Sequence, residues 1–98
     1  MLKYEEKTYK CIDYNDVDKV INDFYKPDNK FEFLGDMEAN NDVYFVFNID
    51  GKIDEYEEND LKNFLQGKYV SYMSLILLND LCRKNLILKG EYLIEASW

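Results

Sequence analysis

Histidine is absent from this 98-residue chain, and proline occurs once, at Pro27. Without imidazole the chain lacks the commonest general base and metal ligand, which excludes Ser-His and Cys-His nucleophile pairs and every histidine-bearing zinc site. The two cysteines, Cys11 and Cys82, have no CxxC spacing around either one, so neither belongs to a zinc or redox motif. Both fall at apolar positions, the pattern of reduced core thiols in a cytoplasmic protein; a single disulfide between them is the alternative. The four glycines, Gly35, Gly51, Gly67 and Gly90, are scattered turn residues that form neither a GxGxxG fingerprint nor a P-loop. No apolar run approaches the roughly 18 residues of a membrane span. The first residues, Met1 to Lys7, lack the apolar core of a secretory signal. With every mechanism-bearing motif missing, the expectation is a protein that is not an enzyme and needs no cofactor or metal.

What the chain has is apolar and aromatic mass, and acid. Hydrophobic residues make up 47% and aromatics 16% of the sequence, well above disordered composition, so a single domain spanning residues 1–98 with its own core is expected. The net charge of −8 is confined to Gly35 through Asp60. There nine carboxylates (Asp36, Glu38, Asp42, Asp50, Asp54, Glu55, Glu57, Glu58, Asp60) face one base, Lys52. Outside that segment acids and bases balance at eleven each. A concentrated field of one sign selects partners and repels nucleic acid.

Periodicity gives the elements. Residues 8–14 suit a strand and residues 16–25 a helix, with Asn15 as N-cap and Val17, Val20, Ile21 and Phe24 at helical spacing. Phe31, Phe33 and Met37 suggest a second strand over 31–38. The run at 43–49, apolar on both faces, reads as a central strand. Asp50-Gly51 is a favoured hairpin turn, so 52–57 is expected to return as a polar edge strand whose carboxylates block further pairing. Helices over 60–66, capped by Asn59 and stopped by Gly67, and over 70–84 follow. Alternation of Tyr92, Ile94, Ala96 and Trp98 suggests a C-terminal hairpin over 86–97, although the six residues from Glu91 to Ala96 also suit a helical period. The expected fold is α+β, a small, mainly antiparallel sheet packed on three helices.

Three stretches of the chain resemble known motifs. A calcium loop numbered from Gly51 puts Val46, which has no ligand oxygen, at its first position. The helix-helix-hairpin order of Asn59 to Trp98 resembles a winged helix-turn-helix, but Tyr69 to Leu81 offers no Lys or Arg to a phosphate. Direct nucleic-acid binding is therefore not expected. The third is the acidic segment, which can be a solvated edge or a carboxylate array. Same-face strand residues repeat every ~6.8 Å, so Glu55 with Glu57, or Asp54 with Glu58, would form regular rows able to imitate a phosphate backbone.

In size, acidity and lack of catalytic motifs the chain resembles the small inhibitors that bacteriophages and mobile elements encode against host defence nucleases, the anti-CRISPR and anti-restriction proteins. The resemblance is one of overall character, not of motif. It implies a non-catalytic inhibitor in the cytoplasm of a bacterial host, with a basic protein partner such as a nuclease or another nucleic-acid-binding protein, and no membrane. The expected contact residues are Asp54, Glu55, Glu57, Glu58 and Asp60, extended by Asp36, Glu38 and Asp42, with Tyr44 and Tyr56 as aromatic anchors. Two other readings stand beside it: an immunity protein that neutralises a toxin, and an assembly subunit whose apolar strand and C-terminal residues, ending at Trp98, pack into an oligomer.

Overall fold

A computed structural model describes residues 5–6, 10–38 and 42–98. The chain forms an α+β fold in which a four-stranded mixed sheet carries its helices on one face. In chain order the elements are β1 (Glu5–Glu6), β2 (Lys10–Asp13), α1 (Tyr14–Tyr25), α2 (Phe33–Asp36), β3 (Tyr44–Ile49), α3 (Glu55–Leu65), α4 (Ser74–Arg83) and β4 (Gly90–Glu95).

The first strand expected from sequence, 8–14, is present as β2; its residues Thr8 and Tyr9 lie outside the described residues. The helix expected over 16–25 starts two residues earlier, because Asp13 rather than Asn15 caps it. The Asp13 side chain accepts from the Asn15 N–H at 2.9 Å. Val17 and Ile21 of α1 are fully buried.

Residues 31–38 do not form a strand. Phe33 and Met37 are one helical turn apart and both buried, and the chain coils there into α2. The backbone of Phe31 has no strand partner to find, because the Asn22 amide takes both of its groups: Oδ1 accepts from the Phe31 N–H at 2.8 Å, and Nδ2 donates to its carbonyl at 2.9 Å. Asp18 Oδ1 accepts from the Phe33 N–H at 2.6 Å. Side chains of α1 thus satisfy donors and acceptors that a ladder would otherwise use.

The acidic stretch 52–57 is likewise no strand. Asp54 and Glu57 form a reciprocal capping box, with the Glu57 N–H donating to Asp54 at 2.8 Å and the Asp54 N–H to Glu57 at 3.1 Å. The helix expected over 60–66 therefore begins at Glu55, with Glu55, Glu57 and Glu58 in the first turn, where the helix dipole favours negative charge. Asp50-Gly51 does turn the chain, but into α3 and not into a hairpin. The buried Asn79 side chain accepts from both Asp50 N–H and Gly51 N–H, at 3.0 and 3.1 Å. At the far end Gly67 (φ +81°) closes α3 as expected: its N–H donates to Phe64 and that of Lys68 to Asn63, a Schellman pair.

The helix expected over 70–84 is α4, shorter at its start. Met73 N–H donates to Asp36 Oδ1 at 2.8 Å, and Ser74 N–H and Oγ donate to Oδ2 at 2.9 and 2.6 Å, so a carboxylate from α2 caps α4. Leu77, Leu78 and Leu81 are fully buried at its centre. Counting α2, the fold has four described helices and not three.

The C-terminal hairpin is replaced by a single strand. Leu86 and Ile87 pack on the core after α4 ends at a left-handed Asn85 (φ +62°). The segment from Gly90 then enters the middle of the sheet, whose order is β1-β2-β4-β3. Strand β4 runs parallel to β2, with Ile12 opposite Ile94, and antiparallel to β3, with Val46 opposite Leu93. Its alternation is as read from sequence, Tyr92, Ile94 and Ala96 facing the helices and buried. β4, not β3, is the central strand. β3 lies at the edge and is apolar on both faces even so: Phe45 and Ile49 are buried, while Tyr44 and Val46 are more than half exposed.

Candidate functional site

The ten residues expected to contact a partner separate into three groups. Asp54, Glu55, Tyr56, Glu57, Glu58 and Asp60 are gathered at the start of α3. Asp36 and Glu38 lie at the end of α2, and Asp42 and Tyr44 at the entry to β3.

Several of these carboxylates are already committed within the fold. Asp54 and Glu57 bind each other's backbone in the capping box. Asp36 is the cap of α4. Glu58 makes a two-pronged pair with Arg83, at 2.9 and 3.0 Å, and these bonds hold its carboxyl below the usual carboxylate range although its partial desolvation acts the other way. Arg83 also donates from Nε to Asp80 at 2.6 Å. Its guanidinium is thereby pushed further up, chiefly by Glu58.

Asp80 is the centre of the network that sequence reading missed. Its side chain is almost fully buried and receives Arg83, Lys84 Nζ at 2.5 Å and the Tyr25 hydroxyl. Burial alone would raise its pKa, but the hydrogen bonds from Lys84, Tyr25 and Arg83 outweigh it and hold the carboxyl below its ordinary value. The Tyr25 hydroxyl is correspondingly pushed up, first by burial and then by its bond to Asp80. The spacing Asp80, Arg83, Lys84 on one helix was the available signal for the pair bonds.

The residues left to face solvent are Glu55, Tyr56, Glu38, Asp42 and Tyr44, with Asp60 half exposed. Tyr56 is 85% exposed. It stands in an open depression with Ile53, Asp54, Glu55, Glu58, Asn59 and Lys62. The Asp42 carbonyl accepts from Trp98 Nε1 at 2.6 Å, which ties the end of the chain to the start of β3. The rows expected along a strand do not exist; on a helix that rises ~1.5 Å per residue the same carboxylates make a compact cluster.

Among the described residues one carboxyl is raised towards neutrality: Asp18, at about 6, is shifted first by burial and accepts from the Phe33 N–H. No group of three or more metal-ligating side chains occurs among them, and none of their helices is long and apolar enough to cross a membrane. Neither Cys11 nor Cys82 forms a disulfide. No protein-family model matches the chain, and no curated protein or solved structure is detectably similar to it.

Proposed function

We propose that this protein is a non-catalytic binding inhibitor, which docks the start of α3 into the basic groove of a nuclease or another nucleic-acid-binding protein and so excludes the nucleic acid. One observation carries the reading. Tyr56, 85% exposed, projects from a turn whose neighbours are Asp54, Glu55 and Glu58. Exposed tyrosine costs little to order on binding and is enriched among residues that dominate interfaces. Carboxylates around it raise the encounter rate with a basic surface and displace the counterions that Lys and Arg otherwise hold.

The fold also narrows the set of residues that matter. Asp54, Glu57, Glu58 and Asp36 serve the fold first, so removing them confounds binding with stability. The side chains of Glu55 and Tyr56 have no hydrogen-bond or ion-pair partner among the described residues and can be changed without touching the core. The test is affinity capture from a bacterial lysate at low and high salt, with the double variant E55Q/Y56S beside the wild type and added DNA as competitor. The expected result is a basic partner that salt and DNA displace and that the folded variant binds about tenfold more weakly. A partner retained equally by the variant, or indifferent to DNA, overturns the reading.

A further inference from the structure

Among the described residues the sheet ends on one side at β3. β3 is six residues, Tyr-Phe-Val-Phe-Asn-Ile, with no charge, no proline and a regular register throughout. The Ala96 N–H donates to the Val43 carbonyl at 2.7 Å, which makes Val43 and Ala96 a hydrogen-bonded pair. Antiparallel pairs alternate, so Phe45, Phe47 and Ile49 bond to β4, and the N–H and C=O groups of Tyr44, Val46 and Asn48 point away from the sheet. Among the described residues nothing pairs with them.

The face around this edge has its own pattern. The register sets Val46, Leu93 and Cys11 in one row across three strands. On one side of it lies the row Tyr44, Glu95, Asp13, and on the other Asn48 and Glu91. Asp42 and Asp50 stand just beyond the two ends of β3. An apolar centre is thus bordered at both ends by acid: Glu91 and Glu95 alternate with buried Tyr92 and Ile94 and lie on the face away from the helices, while Asp13 also caps α1 and Asp50 also holds the Lys52 N–H.

We propose that the outer edge of β3 takes an extended segment of a partner protein as an added antiparallel strand, the segment carrying an apolar residue opposite Val46 and a basic residue two positions to either side. The backbone groups of Tyr44, Val46 and Asn48 supply the ladder, and the alternating face supplies the selection. A lysine opposite Tyr44 or Asn48 lies ~10 Å, two strand spacings, from Glu95 or Glu91, within the joint reach of the two side chains. A second copy of this chain fits less well. The register that pairs all three outward residues, Val46 opposite Val46, sets Asp42 against Asp50 of the other copy at both ends, and like charges directly opposite destabilise a pair. This surface is separate from the start of α3, and the proposal stands whether or not the helix binds a basic groove.

The probe is the blocked peptide Thr-Lys-Val-Ile-Val-Lys-Thr, titrated into the isotopically labelled full chain, with its counterpart in which both lysines are glutamate. The expected result is saturable binding that slows amide exchange at Tyr44, Val46 and Asn48 and leaves Phe45 and Phe47, already bonded to β4, unchanged. The glutamate peptide should bind roughly tenfold more weakly, since two attractive pairs become repulsive. In the variant E91K/E95K, which alters exposed side chains only, the preference should reverse. Equal affinity for the two peptides overturns the proposal, as does binding without protection of those three amides, or no binding to the folded chain. A dimer in light scattering with the same amides protected before any peptide is added assigns the edge to a second copy instead.

Discussion

Asp18 and Asp80 are both carboxylates drawn into the interior, and their surroundings push them in opposite directions. Asp80 receives three donors and stays ionised, so its contribution to stability is present across neutral pH and is lost as pH falls through its lowered pKa. Asp18 receives one backbone N–H, beside Glu32, and burial raises it from 3.8 to about 6. The folded state therefore binds the Asp18 proton more tightly than the unfolded chain does. Its stabilising share is full below about pH 4 and disappears as pH rises through about 6. Complete burial would make the shift worth about 3 kcal/mol, and partial contact with water reduces it to roughly 1 kcal/mol. Asn at this position keeps the oxygen that Phe33 needs and removes the charge. Urea unfolding of D18N should match the wild type near pH 4 and exceed it by roughly 1 kcal/mol near pH 8. An equal midpoint for the two proteins at both pH values would show that the carboxyl is not strained in the fold.

Caps decide where the helices of this protein begin, and they explain which elements were legible. The capping box Asp54-x-x-Glu57 is a local signal present in the sequence, yet Asp50-Gly51 four residues upstream is an equally good hairpin signal. The competition was settled by Asn79, far along the chain, whose buried side chain holds the Asp50 and Gly51 N–H groups, while the Lys52 N–H that a two-residue hairpin would return to Ile49 donates to Asp50 Oδ1 at 2.9 Å. The same holds for Phe31 to Met37, where spacing suits either period and the side chains of Asp18 and Asn22 choose the coil. Helices α1 and α4 were readable because their apolar spacing is long enough to decide by itself; α2, four residues long, was not. The acidity of the α3 segment was visible, but its main use, starting a helix and pairing Arg83, depends on contacts that no window of sequence contains. Asp36 is the most telling of these cases. It looked like one more surface charge, and it caps α4 through three hydrogen bonds. Replacing it by alanine leaves the Met73 and Ser74 donors unsatisfied at a partly buried helix end, at a cost of about 2 kcal/mol. Denaturant midpoints would read the loss, and amide exchange at Met73 and Ser74 should accelerate more than at Leu81 if the damage starts at the cap.

At the scale of the whole molecule, the order of the sheet turns the chain's last strand into its centre. Residues 44–49 carry apolar side chains on both faces, which in sequence argues for a position between two strands; residues 90–95 alternate with charge, the pattern of a strand with one face to water. The structure sets 44–49 at the edge and 90–95 between two strands. Among the described residues the helices cover one face only, so Glu91 and Glu95 of a central strand point to water on the other. The apolar outer residues of β3 then lack a folding role, which is why Tyr44 and Val46 remain more than half exposed. This assignment has a direct energetic consequence. Ile94 is fully buried between β2 and β3, so I94A should cost about 3 kcal/mol, the transfer of its lost methyl groups plus the cavity left behind. Val46, one strand away on the outer face of the edge, should lose no more than about 0.5 kcal/mol as V46A. If β3 were central in solution, or the edge covered by another part of the fold, the two costs would converge. Paired unfolding measurements on these single variants therefore test the strand order, and a large loss in V46A would remove the open edge on which partner pairing depends.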